Sequence, residues 1–174
     1  AAALSSSQLL ALATAQVRAL ETADLTVLAT EAFNKLSALQ VAALSTAQIS
    51  SLTTAQVDAL STVQLVALTT AQVRALATEQ VDALRTQQVA ALETADVVQL
   101  SAAQLLAFST EQVRALTTAQ ILALRSDQLA VLETVDTGAL TTAQIRALAT
   151  DDIRALSTEQ LTALASLQLR ALET

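Results

Sequence analysis

The chain has 174 residues, a 53% hydrophobic share and a net charge of −7, long enough for one domain with a sizeable core. It contains no Cys, His, Met, Trp, Tyr or Pro, which excludes disulfide frameworks, thiolate or imidazole metal sites and the commonest general bases. Sixteen carboxylates against nine Lys and Arg argue against nucleic acid and anionic lipid as partners.

Polar residues interrupt the apolar ones long before any run approaches the ~20 residues of a spanning helix, so a soluble chain without membrane insertion is expected. No basic segment followed by an apolar run opens the sequence, and a secretory leader is read as absent or trimmed. Without cysteine the redox compartment cannot be inferred.

Leucine recurs every eight residues, at Leu4, Leu12, Leu20, Leu28 and so on to Leu172, with Phe108 the one substitution. The whole chain, 1–174, is therefore read as a single tandem octapeptide-repeat domain of about 22 repeats. With Leu as position zero, position one varies among Ser, Thr, Ala, Glu and Arg, and position two is nearly always Thr. Position three is mostly Ala or an acid, position four usually Gln, position five Val, Leu or Ile, position six variable, and position seven mostly Ala.

Strands are a poor fit, because alternation would place Leu, Thr and Gln on one face, and Ala and Gln are weak strand formers. One continuous helix also fails: eight residues turn ~800°, so leucine would sweep the whole circumference within a few repeats. The pattern predicts an all-α solenoid, or superhelix, of very short helices, one per octapeptide. A smaller number of longer, bent helices forming a bundle is the alternative.

Taken along the chain, the first irregular stretch is Ala32, Phe33, Asn34 and Lys35. Ser45 followed by Gln48 then shows a capping box, with Leu44 and Ile49 as its hydrophobic staple, and Thr69, Gln72 and Val73 repeat it. Ala77, Arg85 and Glu133 cannot cap well at position one, so there the cap is expected to move to the Thr at position two. A second irregular stretch spans Val98, Gln99 and Ala102 up to Phe108, and a third is Thr137 with Gly138. Gly138 could mark a bend, and the two phenylalanines sit at inward positions as core fillers. Drift in a tolerant array is the simpler account of all three stretches; recognition patches are the other. With neither Gly nor Pro at the breaks, β-branched Thr and the competing cap must end each helix.

The string Leu68-Thr69-Thr70-Ala71-Gln72-Val73-Arg74-Ala75-Leu76 resembles the short first helix of TAL effector repeats. That family's long second helix and base-reading loop have no counterpart, so DNA recognition is not implied. The whole-chain pattern resembles degenerate octapeptide arrays in large bacterial surface or secreted proteins, which implies such a location.

Asp151 and Asp152 could be imagined as an acid–base or metal pair, but adjacent helical residues do not face each other, and a solvated surface is expected. The hydroxyls have no His to activate them, and Lys35 has no apolar pocket. No catalytic, cofactor-binding or metal-ligating residue is assigned, no cofactor is expected, and the chain is read as a non-enzyme. Arg85 with Glu93, and Arg125 with Glu133, are expected to meet across the surface of successive repeats.

The expected function is a structural spacer or stalk, one segment of a longer array, whether excised or designed. Uncovered apolar ends would allow self-association. The alternative is a protein-binding scaffold using position six, at Arg74, Asp82, Arg114, Arg146 and Arg154, for a partner of unknown identity. Clustering of these five on one face would favour the scaffold, and scattering the spacer.

Overall fold

The computed structural model describes residues 5–172, which hold 21 helices of four to six residues and no strand. It is a solenoid of short helices, one per octapeptide, in two compact parts, Ala1–Ala91 and Leu92–Thr174. No helix among the described residues is long and apolar enough to cross a membrane.

Each helix starts at position two and is preceded by a position-one residue in extended conformation, as at Ser45 (φ −73°, ψ 160°) and Thr53 (φ −70°, ψ 155°). The hydroxyl of Thr53 accepts the Gln56 backbone N–H at 3.2 Å, and Gln56 Oε1 accepts the Thr53 N–H at 3.0 Å. These two bonds satisfy two of the amide donors that a helix start leaves unpaired. Thr53→Ala removes the first bond, and an increase of about 1 kcal/mol in the ease of unfolding is expected, read from urea denaturation.

The predicted shift of the cap to position two does not occur. At Ala77 and Glu133 position one remains the extended cap residue, and the helices still begin at Thr78 and Thr134; the helix after Arg85 begins at Thr86. Gln80 and Gln88 compensate, each accepting the position-one N–H at 2.7 Å. At Ala77 and Arg85 the glutamine half of the capping box stands without the hydroxyl half.

Helix endings need no glycine because they do not use the left-handed region; no described residue has a positive φ. The Leu60 N–H closes its helix on the Val57 carbonyl at 3.2 Å. Leu60 itself then runs extended (φ −56°, ψ 133°), followed by the extended cap Ser61. Two consecutive extended residues redirect the chain in conformations open to any L-residue.

Within each part, a helix packs on the helix three repeats further on. Thr22–Thr26 packs on Thr46–Ser51, which packs on Thr70–Arg74; in the second part Thr118–Ala123 packs on Thr142–Ala147, which packs on Ser166–Ala171. One turn thus holds three octapeptides, and every third repeat shares a face. Positions zero and five fill the interior: Val57, Leu60, Leu65, Ile121, Leu129 and Ile145 are fully buried. A helix of about six residues is far below the length that holds itself together, so this shared core is what keeps it folded.

Phe33 and Phe108 are buried, as core fillers should be. Gly138 is no bend; it lies inside the helix Thr134–Ala139 without a positive φ. Its missing side chain lets the Ala163 carbonyl approach, since a Cβ there would stand 2.9 Å from that oxygen. Thr137 replaces the position-five aliphatic residue, is fully buried, and donates its hydroxyl to the Glu133 carbonyl at 3.0 Å.

Candidate functional site

The most organised polar feature is a ladder of buried glutamines at position four. From Gln40 onward, every position-four Gln is buried, although an uncompensated primary amide in a core is costly. The compensation comes from the preceding turn. Gln48 Nε2 donates to the carbonyls of Val17 (3.0 Å) and Leu20 (2.8 Å), and Gln88 Nε2 to Val57 and Leu60 (both 2.9 Å). In the second part Gln144 reaches Val113 (3.0 Å) and Leu116 (2.7 Å), and Gln160 reaches Leu129 (3.1 Å) and Leu132 (2.8 Å).

In each pair the leucine carbonyl at the helix break has no helical partner, while the position-five carbonyl also accepts the leucine N–H, as Val17 does from Leu20 at 3.2 Å. One side chain therefore caps its own helix through Oε1 and finishes the helix four repeats earlier through Nε2. No described buried side-chain polar atom is left without a partner.

Four positions carry Asp instead of Gln, and those at 136 and 152 show what the exchange does. A carboxylate cannot donate to carbonyls. Asp136 accepts from the Thr110 hydroxyl at 2.8 Å, and Asp152 from the Ser126 hydroxyl at 2.9 Å and the Ala149 N–H at 3.0 Å. Each hydroxyl lies 26 residues earlier, at position two, so the contact between turns survives with its polarity reversed. Asp152→Gln restores two donors facing the Ile121 and Leu124 carbonyls, and a stability gain of about 1 kcal/mol is expected from chemical denaturation.

Asp151 and Asp152 do point apart, but only one is solvated. Asp151 is exposed and pairs with Arg154 at 3.1 Å, whereas Asp152 is buried in the ladder. Lys35 lies exposed on the surface.

Surface charges pair differently from the expectation, because spatial neighbours lie three repeats apart. Arg85 reaches back to Asp58 at 3.4 Å and to the Leu60 carbonyl at 2.8 Å. Arg125 turns from Glu133 to Asp127 at 3.0 Å and to the Val98 carbonyl. The Arg125 hydrogen bond holds the Asp127 carboxyl below its ordinary value, and Glu159 is lowered by its own backbone N–H and the Ser157 hydroxyl. All these groups are largely in solvent, where such pairs contribute little.

Arg74, Asp82, Arg114, Arg146 and Arg154 are all exposed. They do not gather on one face: in the second part Arg114, Arg146 and Arg154 lie on three helices that belong to three different stacks, and in the first part Arg74 and Asp82 lie on helices of two stacks.

Short capped helices, a three-repeat turn and a glutamine ladder define a tandem-repeat α-solenoid. The ALTTAQ repeat matches residues 17–54, 40–70, 57–94, 89–126 and 129–166, and the chain belongs to that family. The hexapeptide of its name stands verbatim at residues 67–72, 115–120 and 139–144. It contains the position-one cap and the ladder glutamine, the two residues that begin each helix. A search of curated proteins found no match.

Proposed function

We propose that the chain is a non-enzymatic structural spacer, a segment of an array that holds other domains apart. The distribution of the variable position-six residues over all three faces carries this reading, because a recognition surface needs them together. Two clefts are in keeping with it: among the described residues, one of about 700 Å³ has Arg146 as its ionisable lining residue and one of about 280 Å³ has Arg18. Neither offers a base beside a nucleophile. The acidic charge and dispersed arginines speak against nucleic acid, and the compositional resemblance to surface and secreted arrays suggests the setting.

The test is to place two fluorescent domains at the ends and to lengthen the array by whole turns of three octapeptides. A spacer gives a separation that rises in equal steps with each added turn; a separation indifferent to repeat number would overturn the reading.

One observation favours a protein-binding scaffold instead. Leu39, Val63 and Val66 are exposed at 75%, 69% and 39% on the stacked helices Ala38–Ala42 and Thr62–Val66, and neither helix carries a charge. A scaffold using this stripe loses partner binding in Leu39→Lys with Val63→Lys while its melting is unchanged; a spacer is indifferent to the change.

A further inference from the structure

One octapeptide has lost together the features that hold its neighbours. Glu133 stands in the cap position without a side-chain cap bond, and no described group accepts its N–H. Asp136 replaces the ladder glutamine, Thr137 is the one polar residue at position five, and Gly138 is the only glycine of the chain. All of these changes fall on the helix Thr134–Ala139 and its cap.

Each change removes a different tie. Gln128 donates to the Val97 and Leu100 carbonyls at 3.4 and 3.0 Å, and Gln144 to those of Val113 and Leu116 at 3.0 and 2.7 Å. The Leu105 and Phe108 carbonyls lie between these pairs in the register of the ladder, and no described side chain donates to them. Asp136 instead takes the Thr110 hydroxyl at 2.8 Å, one bond to the preceding turn in place of two. Thr137 turns its hydroxyl to the Glu133 carbonyl of its own octapeptide, so position five makes no bond to a neighbouring helix and adds less apolar surface to the core. Val135, Thr137 and Gly138 are also poorer helix formers than Ala143, Ile145 and Arg146, their counterparts one repeat on. The turn after it still holds the helix end, where Gln168 donates to the Gly138 carbonyl at 2.9 Å and to that of Leu140.

We infer that Thr134–Ala139 is a preset yield point, the place where the second part opens first. One repeat unwinds while Thr118–Ala123 and Thr142–Ala147, on another stack, keep their ladder bonds. A helix of six residues has no stability of its own, so losing its ties is enough to release it. In a uniform array opening can begin at any repeat; here the sequence fixes where. Under tension the second part lengthens at this repeat first, which extends the spacer reading, but the opening itself stands or falls without that reading.

Amide hydrogen exchange, read by nuclear magnetic resonance on the 174-residue chain, is the test. The Thr137 and Leu140 amides close on the Glu133 and Thr137 carbonyls at 2.9 and 3.3 Å, and those of Ile145 and Leu148 make the same bonds one repeat on at 2.9 and 3.2 Å. Despite this likeness, Thr137 and Leu140 are expected to exchange at least about tenfold faster than Ile145 and Leu148, at a rate nearly indifferent to low urea, because a local opening exposes little surface. Ile145 and Leu148 lie nearer residue 174, so fraying from that side would give the opposite order. Equal protection, or a urea dependence as steep as that of Ile121, would overturn the inference.

Asp136→Gln with Thr137→Val returns the donors and the aliphatic side chain. It is expected to bring exchange at residues 137 and 140 to within about threefold of Ile145 and Leu148. Exchange as fast as in the parent chain would show that the lost ladder and core ties do not set the opening, and would sink the proposal.

Discussion

Gln56→Ala lowers the free energy of unfolding by about 3 kcal/mol, several times the effect expected for Thr53→Ala in the same capping box. The difference lies in what each side chain leaves behind. Loss of the threonine hydroxyl frees one amide, the Gln56 N–H, beneath an exposed side chain. Loss of the glutamine frees the Thr53 N–H and the carbonyls of Leu25 and Leu28, which Gln56 meets at 2.8 and 3.1 Å from a position that is 1% exposed. The Leu25 carbonyl keeps the Leu28 N–H, so the cost stays below that of three fully orphaned groups. Gln56→Glu preserves the cap acceptor and replaces the donor with a carboxylate facing two carbonyls; it is expected to be at least as damaging at neutral pH. Urea denaturation monitored by circular dichroism reads all three variants, and a loss under about 1 kcal/mol for Gln56→Ala would show that the ladder holds little.

Phe33→Ala has the second large effect, about 4 kcal/mol, while Phe33→Leu costs about 1. Phe33 is fully buried at position five, where nearly every other repeat carries an aliphatic side chain. Short helices tied at both ends by their caps and ladder bonds have little freedom to collapse into the space a removed ring leaves. The leucine variant returns the site to the family's ordinary residue and isolates the part of the effect due to shape. Equal losses in both variants would mean that the ring makes a contact leucine cannot replace.

The period of eight and the cap residues made the helices legible before any coordinates: Ser45 with Gln48 and Thr69 with Gln72 mark helix starts that the structure shows. The inward register of positions zero and five followed from the hydrophobic staple. The sequence marks glutamine only as a cap, because nothing local says that its amide end is buried; that depends on partners 28 and 31 residues away. The same gap hid the three-repeat turn, and with it the true neighbours of Arg85 and Arg125. In hindsight the constancy of Gln at position four, beside a freely varying position one, was a signal: a cap alone tolerates Ser, Thr, Ala, Glu or Arg, and something further restricts position four. The charge of Asp152 points to a solvated surface, but its position four in the octapeptide buries it in the ladder.

The three-repeat turn bears on how such an array changes length through inheritance. A glutamine meets the break between the repeats four and three places earlier whatever the total number, so the gain or loss of single octapeptides, as slippage in a repetitive gene would produce, leaves the ladder intact. Each such event moves every later outward side chain to the next face, and only changes in multiples of three return a surface pattern to its original side. Length can therefore drift one repeat at a time, whereas a patch spread over several turns persists only if lineages gain and lose repeats in triplets.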